Sequence, residues 1–305
     1  MGDIAVQFNS ISKSFANSLI LDKVSFECRF AESVALIGPN GSGKSTLLGV
    51  LCGHITPDSG TCRANGAHGC GEVSVALQYP SLFMEDTVRG CLKFYLDLEG
   101  SNSESRRRYD YYTDLFAVSP LFGKKLKELS GGELQKVNLI LALTKKANIF
   151  VFDEPTTFLD SKSRNLFWKE IERKKMEGAS IIYVTHNEEE LKFFSNRIVM
   201  LYRATVFREG EYQELLNKFE YKNVYKVSFD NPSDKSYFLR QYTPPVGSVL
   251  LDTDACSFSI YMKTFSDPLK QFSEDVMYRV KNISVERFGL LDAFYLDGKG
   301  VFFER

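Results

Sequence analysis

A chain of 305 residues has room for one large domain and a small one, and 44% hydrophobic with 25% charged residues is ordinary globular composition, which excludes large-scale disorder. The formal net charge is −1. The longest apolar runs, such as Ile149 to Phe152 and Ser180 to Val184, fall far short of the roughly 20 residues of a spanning helix, so the chain is not expected to cross a membrane by itself.

The first forty residues alternate apolar and polar, with Ile4, Val6 and Phe8 and then Val24, Phe26, Cys28 and Phe30, a period that predicts half-buried antiparallel strands. The apolar run Val34 to Ile37 ends in a glycine-rich loop, and Thr46 to Cys52 suits a helix. Val73 to Leu77 reads as a strand, and Asp86 to Leu98 and Glu104 to Val118 as helices. Arg106, Arg107 and Arg108 open the second of these and are expected on a solvated helix face, because acidic residues flank them. A helix from about Gly132 to Lys145 follows, then a buried strand Ile149 to Phe152, a helix Ser161 to Glu177, a buried strand Ser180 to Val184 and a helix from Glu188. Strands alternating with helices in this way predict an α/β domain with a largely parallel sheet.

The texture changes near Phe219. Strand-like Val224 to Phe229, a helix near Ser233 to Gln241, strands Ser248 to Leu251 and Ser257 to Met262, a helix near Pro268 to Val280 and a strand Ile283 to Phe288 give the order β-α-β-β-α-β, the split βαβ pattern of ferredoxin-like domains. The expected division is therefore residues 1–218 and 219–305.

The N-terminal stretch has neither a basic nor an apolar signal region, so no secretory signal is read. Six cysteines without regular spacing fit a reducing cytoplasm rather than a disulfide scaffold. Cys62, His68 and Cys70 lie close together, but without a C-x-x-C pair or a four-ligand set they read as an ordinary turn between strands.

Chemistry concentrates in three places. Residues 38–46 run Gly38-Pro39-Asn40-Gly41-Ser42-Gly43-Lys44-Ser45-Thr46, the full G-x-x-x-x-G-K-[ST] pattern between a buried strand and a helix. The glycines let backbone N–H groups curl around phosphate oxygens, and the helix points its positive end at the same anion. Lys44 is expected to place its charge at the β- and γ-phosphates, Ser45 its hydroxyl on Mg2+, and Thr46 its hydroxyl near the α-phosphate. At the end of the strand Ile149 to Phe152 stand Asp153, a hard oxygen ligand suited to hold Mg2+ through water, and Glu154, placed to orient and activate the attacking water.

The third place is Leu129-Ser130-Gly131-Gly132-Glu133-Leu134-Gln135, some twenty residues before Asp153. With the two motifs above, it makes roughly residues 3–218 resemble the ATP-binding cassette (ABC) proteins, whose signature sequence it is similar to. The resemblance implies that Ser130, Gly131 and Gly132 grip the γ-phosphate of ATP bound by another subunit. It further implies that Gln78 contacts Mg2+ and the attacking water, that His186 hydrogen-bonds the γ-phosphate, that Asp160 links the two active sites, and that Phe15 stacks on adenine. A helical subdomain is implied at about residues 80–145, with residues 219–305 an accessory domain for dimerisation or regulation.

Some residues depart from the family pattern. Phe15 stands for the usual Tyr, Phe158 for a small residue, and Lys136 and Leu141 for arginines. None removes a phosphate ligand, a metal ligand or the base, so the site is expected to hydrolyse MgATP.

The resemblance implies a transporter's ATPase subunit, working as a homodimer or heterodimer of cassettes with separate membrane-spanning permease subunits. Its expected place is the cytoplasmic side, peripheral to the inner face of the membrane. Ile283 to Gly298 is similar to the end of the extra domain on many bacterial export cassettes, which implies export. The alternative is a soluble ABC-type ATPase acting on non-transport protein or nucleic-acid machinery. Against direct nucleic-acid binding, residues 220–305 carry eleven Lys plus Arg and twelve Asp plus Glu, which leaves little counterion-release energy.

Overall fold

The computed structural model describes residues 4–16, 18–66, 69–70, 73–77, 82, 84–243, 245–264, 267–270 and 274–297. The chain separates into two units, Met1–Tyr212 and Gln213–Arg305, six residues before the boundary expected from composition.

The first unit opens with β1 (Ile4–Phe15) and β2 (Ser18–Arg29), which pair antiparallel and are followed by β3 (Ser33–Ile37) and α1 (Lys44–Leu51). β4 (Ser59–Gly66) pairs with β1, and the short β5 (Gly69–Cys70) with β4, giving a four-stranded sheet in the order β2-β1-β4-β5. The period-two pattern is visible in the register: Phe8 lies opposite Phe26 and their rings stack 4.5 Å apart, both buried. Burying a side chain of that size contributes about 1.5–3 kcal/mol, which fixes which face of each strand turns inward.

A second sheet holds the centre of this unit. β6 (Val73–Ala76), β7 (Ile149–Asp153), β8 (Ser180–Val184), β9 (Arg197–Tyr202) and β10 (Thr205–Gly210) join β3 in the order β10-β9-β3-β8-β7-β6. All pairs are parallel except β9 with β10. Every residue of β3, β7 and β8 is buried, as continuous apolar runs in a sheet covered on both faces require. Because β3, β8 and β7 are neighbours and parallel, the loops leaving their carboxyl ends lie side by side, the usual place for a ligand crevice in such sheets.

The intervening helices are α2 (Val88–Leu98), α3 (Ser103–Leu115), α4 (Gly131–Thr144), α5 (Ser161–Met176) and α6 (Glu188–Phe194). Their starts are set by side-chain caps: Thr87, Asn102, Ser130, Asp160 and Asn187 each accept a backbone N–H from the following turn. α3 is tied to α5 through the buried Glu170, which accepts from the buried Tyr112 at 2.6 Å and from the half-exposed Tyr111, at 3.2 Å, and Arg173. Burial pushes the Glu170 carboxyl up, but hydrogen bonds from Arg173 and Tyr112 outweigh it and hold the group below its ordinary range. Next to it, burial pushes the Lys174 ammonium down to about 8, opposed in part by the Glu170 charge. The ammonium lies 4.6 Å from the Phe150 ring centroid.

α7 (Tyr212–Leu216) leads into the second unit, built from β11 (Asn223–Phe229), α8 (Pro232–Gln241), β12 (Ser248–Asp254), β13 (Ser257–Met262), α9 (Glu274–Met277), β14 (Val280–Arg287) and α10 (Ala293–Asp297). The strands form an antiparallel sheet in the order β12-β13-β11-β14, the strand order of a split βαβ fold. Its core gathers Val227, Phe229, Phe238, Phe258, Ile260 and Met262.

Two expectations here need correction. Among the described residues the helix read at Pro268 to Val280 is helical only over α9, and Pro268, Leu269 and Lys270 form a turn in which the Asp267 carboxylate accepts the Leu269 N–H. The last strand begins three residues earlier than read, at Val280, and the short helix α10 follows it. No helix among the described residues is long and apolar enough to cross a membrane.

Candidate nucleotide site

The phosphate loop follows β3 directly, and its glycines are there for space as well as for conformation. A Cβ on Gly38 would lie 2.3 Å from the Leu201 carbonyl oxygen and 2.6 Å from Ser42 Oγ. Gly43 has φ 99°, and a Cβ there would lie 2.6 Å from Leu21 Cδ2 and 2.8 Å from the Ile20 carbonyl oxygen. Gly43 is also the N-cap of α1, which no side chain caps and which has no acidic residue in its first turn. The first amides of α1 are thus left for an anion.

Lys44 is buried and donates to the carbonyl oxygens of Gly38 at 2.7 Å and Pro39 at 3.0 Å. Burial pushes its ammonium down, while the charges of Asp153 and Glu154 pull it back up. Ser45 Oγ donates to Asp153 Oδ2 at 3.0 Å. Burial pushes the Asp153 carboxyl up, opposed by the Ser45 hydrogen bond. A hydroxyl and a carboxylate side by side are hard oxygen donors, a set that fits Mg2+. Among the described residues no group of three His, Cys, Asp or Glu side chains could hold a metal; His68 lies outside them.

Glu154 follows with φ 51°, a left-handed backbone uncommon for a residue with a Cβ. Its N–H donates to the Val184 carbonyl at 3.0 Å, which binds the end of β7 to the end of β8. Thr157 Oγ1 donates to Glu154 Oε2 at 3.1 Å, and His186 Nε2 lies 3.4 Å from Glu154 Oε1.

These groups face one cavity of about 510 Å³. Asn40, Gly41, Gly43, Lys44, Ser45 and Thr46 line it from the phosphate loop, Asp153, Glu154 and His186 from the strand ends, and Phe15 from β1. Phe15 is half exposed there, an apolar face open to a flat ring. Pro39 and Ser42 border a neighbouring depression instead, and Gly38 lines neither.

The remaining sequence candidates lie outside that cavity. Gln78 is outside the described residues, as are Tyr79, Pro80, Ser81 and Phe83. Ser130, Gly131 and Gly132 do not line it, and Ser130 caps α4 in a reciprocal box: Ser130 N donates to Glu133 Oε2 at 2.8 Å and Glu133 N to Ser130 Oγ at 3.2 Å. Asp160 does not line it either. It caps α5 through the Ser163 N–H at 2.8 Å and pairs with Lys136 at 3.1 Å, and these contacts hold its carboxyl down to about 2.

Two contacts of α4 were not read from the sequence. Gln135 Nε2 donates to the Pro155 carbonyl at 2.8 Å, and Asn138 Nδ2 to the Leu77 carbonyl at 3.0 Å. They tie the helix to the loop after β7 and to the residue before Gln78. The available signal was Asn138, one polar residue in a run otherwise apolar from Val137 to Leu143; Gln135, beside Lys136, carried none.

The family model described as "ABC transporter" matches residues 21–157. An uncharacterised ABC transporter ATP-binding protein of Methanocaldococcus jannaschii is 30% identical over 217 residues, 71% of this chain and 81% of that protein. A Nod factor export ATP-binding protein of Rhizobium sp. is 29% identical over 256 residues, covering 81% of this chain and 84% of its own length. A xylose/arabinose import ATP-binding protein of Haloferax volcanii is 30% identical over 70% of this chain and 57% of its own length. A solved structure of an ATP-binding subunit of an ABC transporter superposes with a TM-score of 0.66 at 24% identity, covering 70% of this chain and 93% of that one. The chain belongs to the family of ABC transporter ATP-binding proteins, and it is an ATPase.

Proposed function

We propose that this chain is the motor subunit of an exporter, hydrolysing MgATP at composite sites of a cassette dimer and passing the resulting movement to a separate membrane-spanning partner at the inner face of the membrane. The observation that carries the dimer is the partition of the motifs: the phosphate loop, Asp153, Glu154 and His186 share one cavity, whereas Ser130, Gly131 and Gly132 do not line it. A second cassette, a copy of this chain or a related one, would bring its signature loop over the open mouth.

Within one site the roles follow from position. The amides of α1 and Lys44 hold the phosphates, and Phe15 offers its ring to adenine. Ser45 and Asp153, with Gln78, would hold Mg2+, which when bound would supply charge neutralisation at the phosphates. Glu154 orients and deprotonates the attacking water. His186, within reach of the Glu154 carboxylate, faces the γ-phosphate. Positioning and charge neutralisation supply the catalysis.

Export is supported by the likeness to the Nod factor export relative. For the membrane partner, the reading is contact through residues 79–84. Of these, Leu82 borders an apolar groove of about 600 Å³ with Tyr95, Leu96 and Leu98, and Met84 is exposed. The second unit, which carries none of the catalytic motifs, is assigned to dimerisation or regulation.

The test is Glu154→Gln. Nucleotide affinity should be kept while turnover falls by about a hundredfold or more, the scale for losing a base. Turnover near the wild-type rate would remove Glu154 from that role.

A further inference from the structure

The loops that carry Glu154 and His186 are joined by a buried carboxylate with no part in the scheme above. We propose that Glu190 on α6 is a positioning residue for hydrolysis, clamping the loop after β7 to the loop after β8 and so setting the geometry of Glu154 and His186. The proposal rests on the reading of those two residues as catalytic.

Glu190 is 2% exposed. Its Oε1 accepts from Thr156 Oγ1 at 2.6 Å and its Oε2 from Thr185 Oγ1 at 2.5 Å. Thr156 stands two residues after Glu154 and Thr185 immediately before His186, and both are buried. Each oxygen of one carboxylate therefore holds one of the two catalytic loops. Thr185 Oγ1 also accepts the Asn187 N–H at 3.1 Å, so its proton is committed to Glu190. Tyr183 donates to the Glu190 carbonyl at 3.1 Å, which fixes the start of α6 against β8.

No salt bridge is formed by Glu190 among the described residues, so two neutral hydroxyls are what compensate its burial. An uncompensated buried carboxylate is costly, and an apolar residue would pack here at lower cost. What the carboxylate supplies that an apolar residue would not is a pair of acceptors on two different loops. It does not line the nucleotide cavity, so its effect on the reaction passes through Glu154 and His186.

Glu190→Gln keeps the shape but has one acceptor where two are needed. Its amide must point donors at one threonine, whose own proton then has no partner. In the full-length protein we expect kcat per folded molecule to fall about ten- to a hundredfold, the scale of a misplacement near 1 Å. ATP affinity, set by the phosphate loop, should change less than about twofold. A role confined to folding would lower the thermal midpoint and leave kcat per folded molecule alone, and that result overturns the proposal. If Glu190→Gln does not fold, Thr156→Val and Thr185→Val each remove one donor. A fall in kcat at unchanged ATP affinity supports the clamp, and wild-type kcat in both overturns it.

Glu154→Gln run in parallel keeps the two readings apart. An inactive Glu154→Gln beside an unimpaired Glu190→Gln overturns the clamp alone. An active Glu154→Gln beside an impaired Glu190→Gln removes Glu154 as the base and leaves Glu190 acting through His186.

Discussion

Two helices of the cassette begin in glycine-bearing loops, and their first turns are completed in opposite ways. α1 starts at Gly43 in a left-handed conformation, with no side-chain cap and no acidic residue in its first turn. α4 starts at Ser130, whose side chain and that of Glu133 satisfy one another's backbone amides. Both ends carry the same positive dipole, yet only the first offers it open to an anion. An anion at the second must compete with the Glu133 carboxylate for the Ser130 N–H. The difference suits a site that loads nucleotide on one chain first and closes with the other afterwards, since no side-chain cap has to leave the first amides of α1.

The largest effect should come from separating the two ends onto different chains. Lys44→Ala disables the open end and Ser130→Arg the closed one, and each variant alone should be nearly inactive. Mixed under conditions that form hybrids, half of the sites in each hybrid dimer carry neither defect, and activity should return. Hybrids no more active than the separate variants would rule out a composite site in a homodimer and leave pairing with a different cassette chain.

Lys44→Ala by itself ranks next. Losing a hydrogen-bonding charge on phosphate costs about 1.5–3 kcal/mol, so ATP affinity should fall roughly ten- to a hundredfold by calorimetry. Ser130→Arg should leave affinity of the isolated chain unchanged, because Ser130 does not line the cavity. A matching loss in both would mean the two helix ends share one site within a single chain.

This contrast also explains what could be read from the residues alone. The open end was legible because backbone geometry fixes the glycine spacing: Gly38 and Gly43 tolerate no Cβ. β3, β7 and β8 were legible because burial on both faces writes continuous apolar runs. The cap at Ser130 was not read, although a Ser with Glu three residues on carries that signal. Gln135, Asn138 and Glu190 were not legible, because their partners Pro155, Leu77, Thr156 and Thr185 are set by how the strands and helices stack.

The smallest effect concerns the closed end and depends on pH. The Glu133 carboxyl is held below its ordinary range first by the Ser130 backbone N–H, then by the Ser130 side chain, with Lys124 at 3.3 Å adding to it. A carboxyl depressed in the folded state contributes stability that is fully present above its unfolded pKa and lost as pH falls through the folded value. Glu133→Ala removes that half of the cap and leaves Ser130 Oγ on the amide of residue 133. A helix cap is worth about 0.5–2 kcal/mol, or about 1–8 °C in a unit of some 200 residues. The thermal midpoint of Glu133→Ala should therefore lie below the wild-type value by that amount at neutral pH, and the gap should close as pH is lowered through the carboxylate range. ATP affinity at neutral pH should not move, because α1 has its own N-terminus. A gap that persists unchanged into acid would show that Glu133 stabilises α4 through packing, and the closed end would then owe nothing to the carboxylate's charge.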